Sequence, residues 1–125
     1  MSLPVDVLAL GPNGDRRVLD VPEGYSDLAG FERWRTAVWG SEVVRSLGAR
    51  FLPALADAGL WVEPDQVPAF LRECALLREN LGRIAAGTRP ERTVGEHREQ
   101  FSVRSAHIED AAGRARALGG GVVIW

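Results

Sequence analysis

The chain's only thiol is Cys74 and its only imidazoles are His97 and His107, so thiol catalysis or metal binding would have to be built from these and nearby acids. A catalytic cysteine needs an electropositive, partly exposed setting with a histidine beside it to favour the thiolate. Cys74 instead shares a helical stripe with Phe70, Leu71, Leu77 and Leu81, where a free cysteine behaves as a small hydrophobe. It is expected in the core. Zinc and calcium sites are recognised by ligand spacing, and the sequence has no Cys-x-x-Cys, no His-Glu-x-x-His and no Asp-rich loop. His97, next to Glu96, and His107, close to Glu109 and Asp110, read as surface or capping residues. No metal is expected.

Phosphate-binding loops need backbone N–H groups that lead into a helix N-terminus. Gly119-Gly120-Gly121 leads out of a helix and into the last strand, and Gly11-Pro12-Asn13-Gly14 reads as a hairpin turn. Neither is a Walker or dinucleotide fingerprint, so no cofactor is expected. No serine lies in a Gly-x-Ser-x-Gly elbow, and helix capping accounts for Ser26, Ser41 and Ser105.

Aromatic and arginine side chains carry the stronger signal. Trp34, Trp39 and Trp61 crowd one segment with Tyr25, Phe31 and Phe51, and Trp and Arg are the residues that concentrate binding energy at protein interfaces. Trp34 falls on an apolar helical stripe with Phe31 and Val38, whereas Trp39 lies to one side near Arg35 and Glu32. The expected binding surface is therefore Arg35 with Trp39, or the charged loop 88–98 with Arg89, Arg92 and Arg98. This points to a non-enzymatic interaction domain, an adaptor or an immunity- or inhibitor-like partner of another protein. The alternative is a small-ligand domain or enzyme whose polar residues, His97, Arg98, Glu99 and Arg104, meet only in the fold. A flat exposed aromatic patch favours the first reading and a deep polar pocket the second; if Trp39 is buried, the first gives way to the second.

Composition narrows the classes further. The formal charge is −2, and residues 1–62 carry 6 Arg against 8 acids while residues 63–125 carry 9 of each. No one-sided basic field is available for nucleic acid or anionic lipid. The basic residues are all arginine, a bias expected of a GC-rich bacterial genome. A single cysteine and a start lacking a basic-then-apolar leader lead to the expectation of a cytoplasmic protein.

The elements that must position these residues follow from periodicity. Alternation at Val5, Val7 and Ala9, an Asn13-Gly14 turn and an apolar run at Val18, Leu19 and Val21 predict a hairpin. Leu28, Phe31, Trp34 and Val38 predict a helix that stops at Gly40, and after Ser41 the runs Val43, Val44, Leu47 and Phe51, Leu52, Leu55, Ala56 predict two short helices or one kinked helix. Leu60-Trp61-Val62 reads as a link or minor strand before the clearest helix, 66–86, whose polar face includes Arg72, Glu73 and Arg78. After the 88–98 loop, Phe101 and Val103 suggest a strand at 100–104. Ser105 then opens a helix striped by Ile108, Ala111, Ala112, Ala115 and Leu118, and 121–125 closes the chain as a buried strand anchored by Trp125. The expected fold is α+β in a single domain over 1–125. It comprises a small sheet of N-terminal hairpin and C-terminal strands against several helices, with the helix at 66–86 on the sheet. One parallel βαβ unit stands as an alternative to an all-antiparallel order.

Overall fold

The computed structural model describes residues 2–88 and 94–125, and it holds a five-stranded sheet on which the helices are stacked. The sheet is built on β1 (Ser2–Leu10), whose odd residues Leu3, Val5 and Val7 point into the core. On one side β1 pairs with β2 (Arg16–Val18), placing Leu8 opposite Val18, and with β3 (Leu28–Phe31), placing Pro4 opposite Leu28. On its other side lies β5 (Gly121–Ile124), with Val5 opposite Ile124 and Val7 opposite Val122. Beyond β5, β4 (Leu60–Val62) sets Trp61 opposite Val123. All four pairings are antiparallel, so the sheet holds no βαβ unit. The hairpin is closed as its sequence implies: Gly14 takes a φ of 80° in the turn, and Gly11 N–H donates to Asp15 O at 2.7 Å.

Four α-helices are described: α1 (Glu42–Ser46), α2 (Val67–Glu79), α3 (Leu81–Gly87) and α4 (Val94–Leu118). The helix that lies on the sheet is α4, touching β1, β3 and β5, while α2 and α3 pack on α4 as a further layer. Its buried positions Phe101, Arg104, Ile108, Ala111, Ala112 and Ala115 follow the three-and-four spacing of one helix face, and the alanines let the helix approach the strands closely. Gly119, at φ 67°, ends it. There Gly119 N–H donates to Arg116 O and Gly120 N–H to Ala115 O (3.2 and 2.8 Å), a Schellman pattern that turns the chain straight into β5.

Several sequence expectations are corrected. Residues 100–104 belong to α4, not to a strand, and the expected 88–98 loop is already helical from 94; residues 89–93 lie outside the described residues. The stripe that fixes α4 runs through His97 and Arg104 as well as the apolar residues, and those polar members conceal it. Leu28–Phe31 is a strand rather than a helix start, and the helical turn that follows, Arg35–Trp39, is π-wound, with Gly40 N–H donating to Arg35 O at 2.8 Å. The 66–86 helix is broken at Asn80, which leaves helical geometry (φ −115°, ψ 24°), its side chain donating to Leu76 O at 2.8 Å. Its main partner is α4 rather than the sheet.

Glu73 is the most consequential polar residue of the core. It was expected on the solvent face of α2, yet it is buried, and its carboxylate accepts from three successive backbone N–H groups. Oε1 takes those of Arg50 and Phe51, and Oε2 takes that of Leu52 at 2.8 Å. These amides open the 3₁₀ turn Leu52–Ala56, where a negative charge is favoured by orphan donors and the local dipole. One side chain thus ties the 50–56 connection to α2. Glu73→Ala is expected to lower the unfolding free energy by about 3 kcal/mol, because buried N–H groups lose a charged acceptor. Urea denaturation checks this, and a loss under about 1 kcal/mol would show that the carboxylate contributes little.

Candidate functional site

Trp39 does not reach solvent. Its side chain is 0% exposed, its indole N–H donates to Ala29 O at 3.0 Å, and its ring meets Trp34 and Phe101 at centroid distances of 5.6 and 5.4 Å. Moving the helix start from 28 to about 35 rotates the two tryptophans, so Trp39 takes the core position and Trp34 is left half-buried. The expectation of an exposed Trp39 is overturned. Arg35 is likewise committed to the fold. Its guanidinium donates to Glu32 Oε1 (2.7 Å), to Ala58 O (3.1 Å), to Leu55 O (3.4 Å) and to Trp125 O, so it clamps the end of β5 to the 55–58 connection. Arg98 is exposed on α4 beside Gly82, bordering an open groove of about 330 Å³ with Leu81, Glu99 and Ser102. Arg89 and Arg92 lie outside the described residues.

The residues of the alternative reading are only partly brought together. Glu99 and Arg104 border an open-sided groove of about 440 Å³ along α4, together with Leu28, Glu96, Gln100, Val103 and His107. His107 Nδ1 lies 2.7 Å from Leu28 O, which makes that nitrogen the donor. Arg104 is itself buried, its guanidinium 4.4 Å from the Trp34 ring centroid and 4.9 Å from that of Phe31. His97 turns away into the core. Its Nε2 is 2.6 Å from Thr88 Oγ1, whose hydroxyl donates to Ile84 O, so the histidine must be the donor. The ring packs edge-on to Trp34 at 5.7 Å. Burial, then the charge of Arg104, hold the His97 pKa below its ordinary 6.5. Cys74 is buried as expected, and burial, aided by the charges of Glu109 and Glu73, pushes its thiol up to about 12. Among the described residues no group of three metal-ligating side chains is gathered.

The exposed aromatic surface lies on the other side of the sheet. Val5, Val7, Val62, Val122 and Ile124 face the helices and join the main core, whereas Leu8 and Val123 are buried without belonging to it. They lie on the outer face, with Trp61 beside Val123 and Val18 beside Leu8 in register. Trp61 and Trp125 remain 47% and 45% exposed while packing edge to face at 5.6 Å. The Trp125 indole donates to Asp6 Oδ2 at 2.6 Å. Arg16 reaches Glu63 Oε2 at 2.9 Å and sets its guanidinium 5.8 Å from the Trp61 ring centroid, while Leu10 and Val18 extend the exposed apolar area across the hairpin.

Sequence reasoning missed this face. Trp61 counted only as part of an aromatic cluster and Trp125 as a buried anchor, when strand alternation at Leu60-Trp61-Val62 and Val122–Trp125 turns both outward once β4 and β5 pair. Comparison with protein-family profiles, curated proteins and solved structures finds no match to this chain. No described helix is long and apolar enough to cross a membrane.

The His97 environment predicts a pH dependence. The unfolded chain takes up a proton near pH 6.5 and the folded one only at lower pH, so the stability contribution is complete above about pH 7 and is lost as pH falls through 6.5. The wild type is expected to lose more stability than His97→Gln, whose amide can still donate to Thr88, between about pH 7 and 5. Parallel pH profiles of melting temperature for the two proteins would contradict the assignment. Thiol reagents are expected to label native Cys74 orders of magnitude more slowly than the unfolded chain.

Proposed function

We propose that this chain is a non-enzymatic protein-interaction domain that docks through the face of its sheet that none of the described helices covers. The burial of Trp39 removes the surface on which the sequence rested this reading and by that criterion favours its rival. Docking rests instead on a different patch, the exposed aromatic one, and the adaptor, immunity and inhibitor roles expected from the sequence fit it. The observation that carries the reading is the Trp61–Trp125 pair, two adjacent, half-exposed indoles on a rigid sheet with a guanidinium at their edge. Trp and Arg supply large contact area on few rotatable bonds and dominate binding energy where they are desolvated by a partner. Leu10 and Val18 widen the apolar area around them, and contiguous exposed apolar surface on a small domain marks an interaction site. The lone, buried thiol and the lysine-free composition are in keeping with a reducing bacterial cytoplasm as the place of action.

The second reading, a ligand-binding domain, is favoured by the α4 groove. Its volume, about 440 Å³, falls in the range of small-molecule sites, and Glu96, Glu99 and His107 supply polar groups to its lining. The groove is open along its length and has only Leu28 and Val103 as aliphatic walls, which suits a small ligand less well than an enclosed pocket does.

A photo-crosslinking residue placed at position 61 or 125 in cells of the source organism would capture the partner for purification. Trp61→Ala and Trp125→Ala are each expected to weaken its binding by about 2 kcal/mol, some 30-fold. Val103→Ala and His107→Gln in the groove are expected to leave it unchanged. Binding indifferent to Trp61 and Trp125 but lost in His107→Gln would transfer the function to the groove.

A further inference from the structure

Arg50 and Arg72 are exposed arginines that the fold does not use. Among the described residues neither guanidinium makes a hydrogen bond or an ion pair, and the helical neighbours of Arg72, which are Pro68, Ala69, Ala75 and Leu76, include no acid. Both arginines line one open-sided groove of about 220 Å³ between α2 and the connection at 48–51. Phe51, Ala69 and Leu76, all half-buried, supply its apolar lining. The one carboxylate in that lining is Glu73, and it is spent: its two oxygens accept from the backbone amides of Arg50, Phe51 and Leu52. These bonds also shape the groove. Glu73 belongs to α2 and the amides to the facing connection, so the two walls are tied to each other before any ligand arrives.

We propose that this groove binds the C-terminal residue of a polypeptide, with its apolar side chain against Phe51 and Leu76 and its carboxylate on Arg50 and Arg72. The site is independent of the docking reading, since no residue of the groove belongs to the outer face of the sheet. Charge complementarity selects an anion: the charges left accessible in the lining are two cations, while that of Glu73 is satisfied by three amides. A carboxylate is the group that guanidinium N–H donors pair with in a bidentate fork. The apolar lining selects what carries that anion. Inorganic phosphate would leave Phe51 and Leu76 bare, and an internal acidic side chain brings its carboxylate on a short stem without an apolar body. A chain end with an apolar last residue holds both on one carbon, and capture of a terminal carboxylate is a recurring mode of peptide recognition. Size agrees. The groove, at about 220 Å³, falls below the roughly 300–1,000 Å³ of pockets for drug-sized ligands, and its open side lets the rest of a chain leave.

The test is an NMR titration of the ¹⁵N-labelled full chain with an acetylated tripeptide ending in leucine, supplied as its free acid and as its C-terminal amide. The acid is expected to shift the backbone signals of Gly48, Ala69 and Leu76 saturably. The amide is expected to bind at least about tenfold more weakly, the loss that follows removal of a charge-assisted hydrogen bond. Arg50→Gln and Arg72→Gln are each expected to weaken the acid severalfold and to leave the melting temperature little changed, because both side chains are exposed and unpaired. Octanoate tests the source of the carboxylate. If it binds more tightly than the peptide acid and loses that binding in Arg72→Gln, the ligand is a free apolar acid and the assignment to a chain end is overturned. Equal binding of acid and amide, binding indifferent to both arginine substitutions, or no shift at about 10 mM peptide would overturn the site itself. None of these results bears on docking through Trp61 and Trp125.

Discussion

The insertion of β5 between β1 and β4 is the constraint from which the rest of this molecule follows. A strand with neighbours on both sides must satisfy its backbone in two ladders and bury side chains on two faces, and the run Val122-Val123-Ile124 meets both demands. Val122 and Ile124 enter the main core, while Val123 and Trp125 build a thin second layer outside it. Approach to β5 is equally constrained. A side chain at Gly120 would collide with the Leu8 carbonyl and one at Gly121 with that of Val62, so glycine is required where α4 hands the chain to the strand. At the far end Arg35 collects carbonyls from residues 55, 58 and 125, joining the strand to the segment that leads into β4.

The same insertion creates the outer surface. With α4, α2 and α3 all stacked on one side, none of the described helices covers the other face of the sheet. Its own side chains, Trp61, Trp125 and Arg16, shield Leu8 and Val123 while staying half-exposed. The indoles therefore contribute to folding through what they cover while their outer surfaces stay exposed, where the proposed partner would dock. The protective devices lie elsewhere. The outer edge of β3 is occupied by His107 on Leu28 O and by Ser26 on Leu28 N–H, which keeps that edge from recruiting another strand.

Much of the fold was legible because apolar period and turn chemistry agreed. The hairpin, the Ser41 cap, the buried Cys74 stripe, the glycine stop of α4 and the buried C-terminal strand all follow from local signals. What hid was coded by polar residues in core positions and by pairing. His97 and Arg104 occupy buried positions of α4, so its first three turns looked like a charged loop and a strand. Glu73 sits inside because three backbone amides from a distant connection meet it there, which no local pattern announces. Trp39 and Trp34 exchanged roles because Leu28–Phe31 was claimed by β1 as a strand, delaying the helical turn. For the candidate site, Arg35 and Trp39 proved structural, and the outward Trp61–Trp125 pair could be found only after knowing that β4 and β5 are neighbours. Alternation gives the parity of each strand but not its partner.

The central claim, that this domain acts through the outer face of its sheet, is tested most directly by the four indole N–H resonances of the ¹⁵N-labelled protein on addition of its partner. Each of Trp34, Trp39, Trp61 and Trp125 contributes one signal. The account predicts that those of Trp61 and Trp125 shift or broaden while that of Trp39, buried on Ala29 O, stays in place. Unmoved Trp61 and Trp125 signals in a saturated complex, with the shifts collecting instead on the α4 residues Gln100, Val103 and His107, would contradict it.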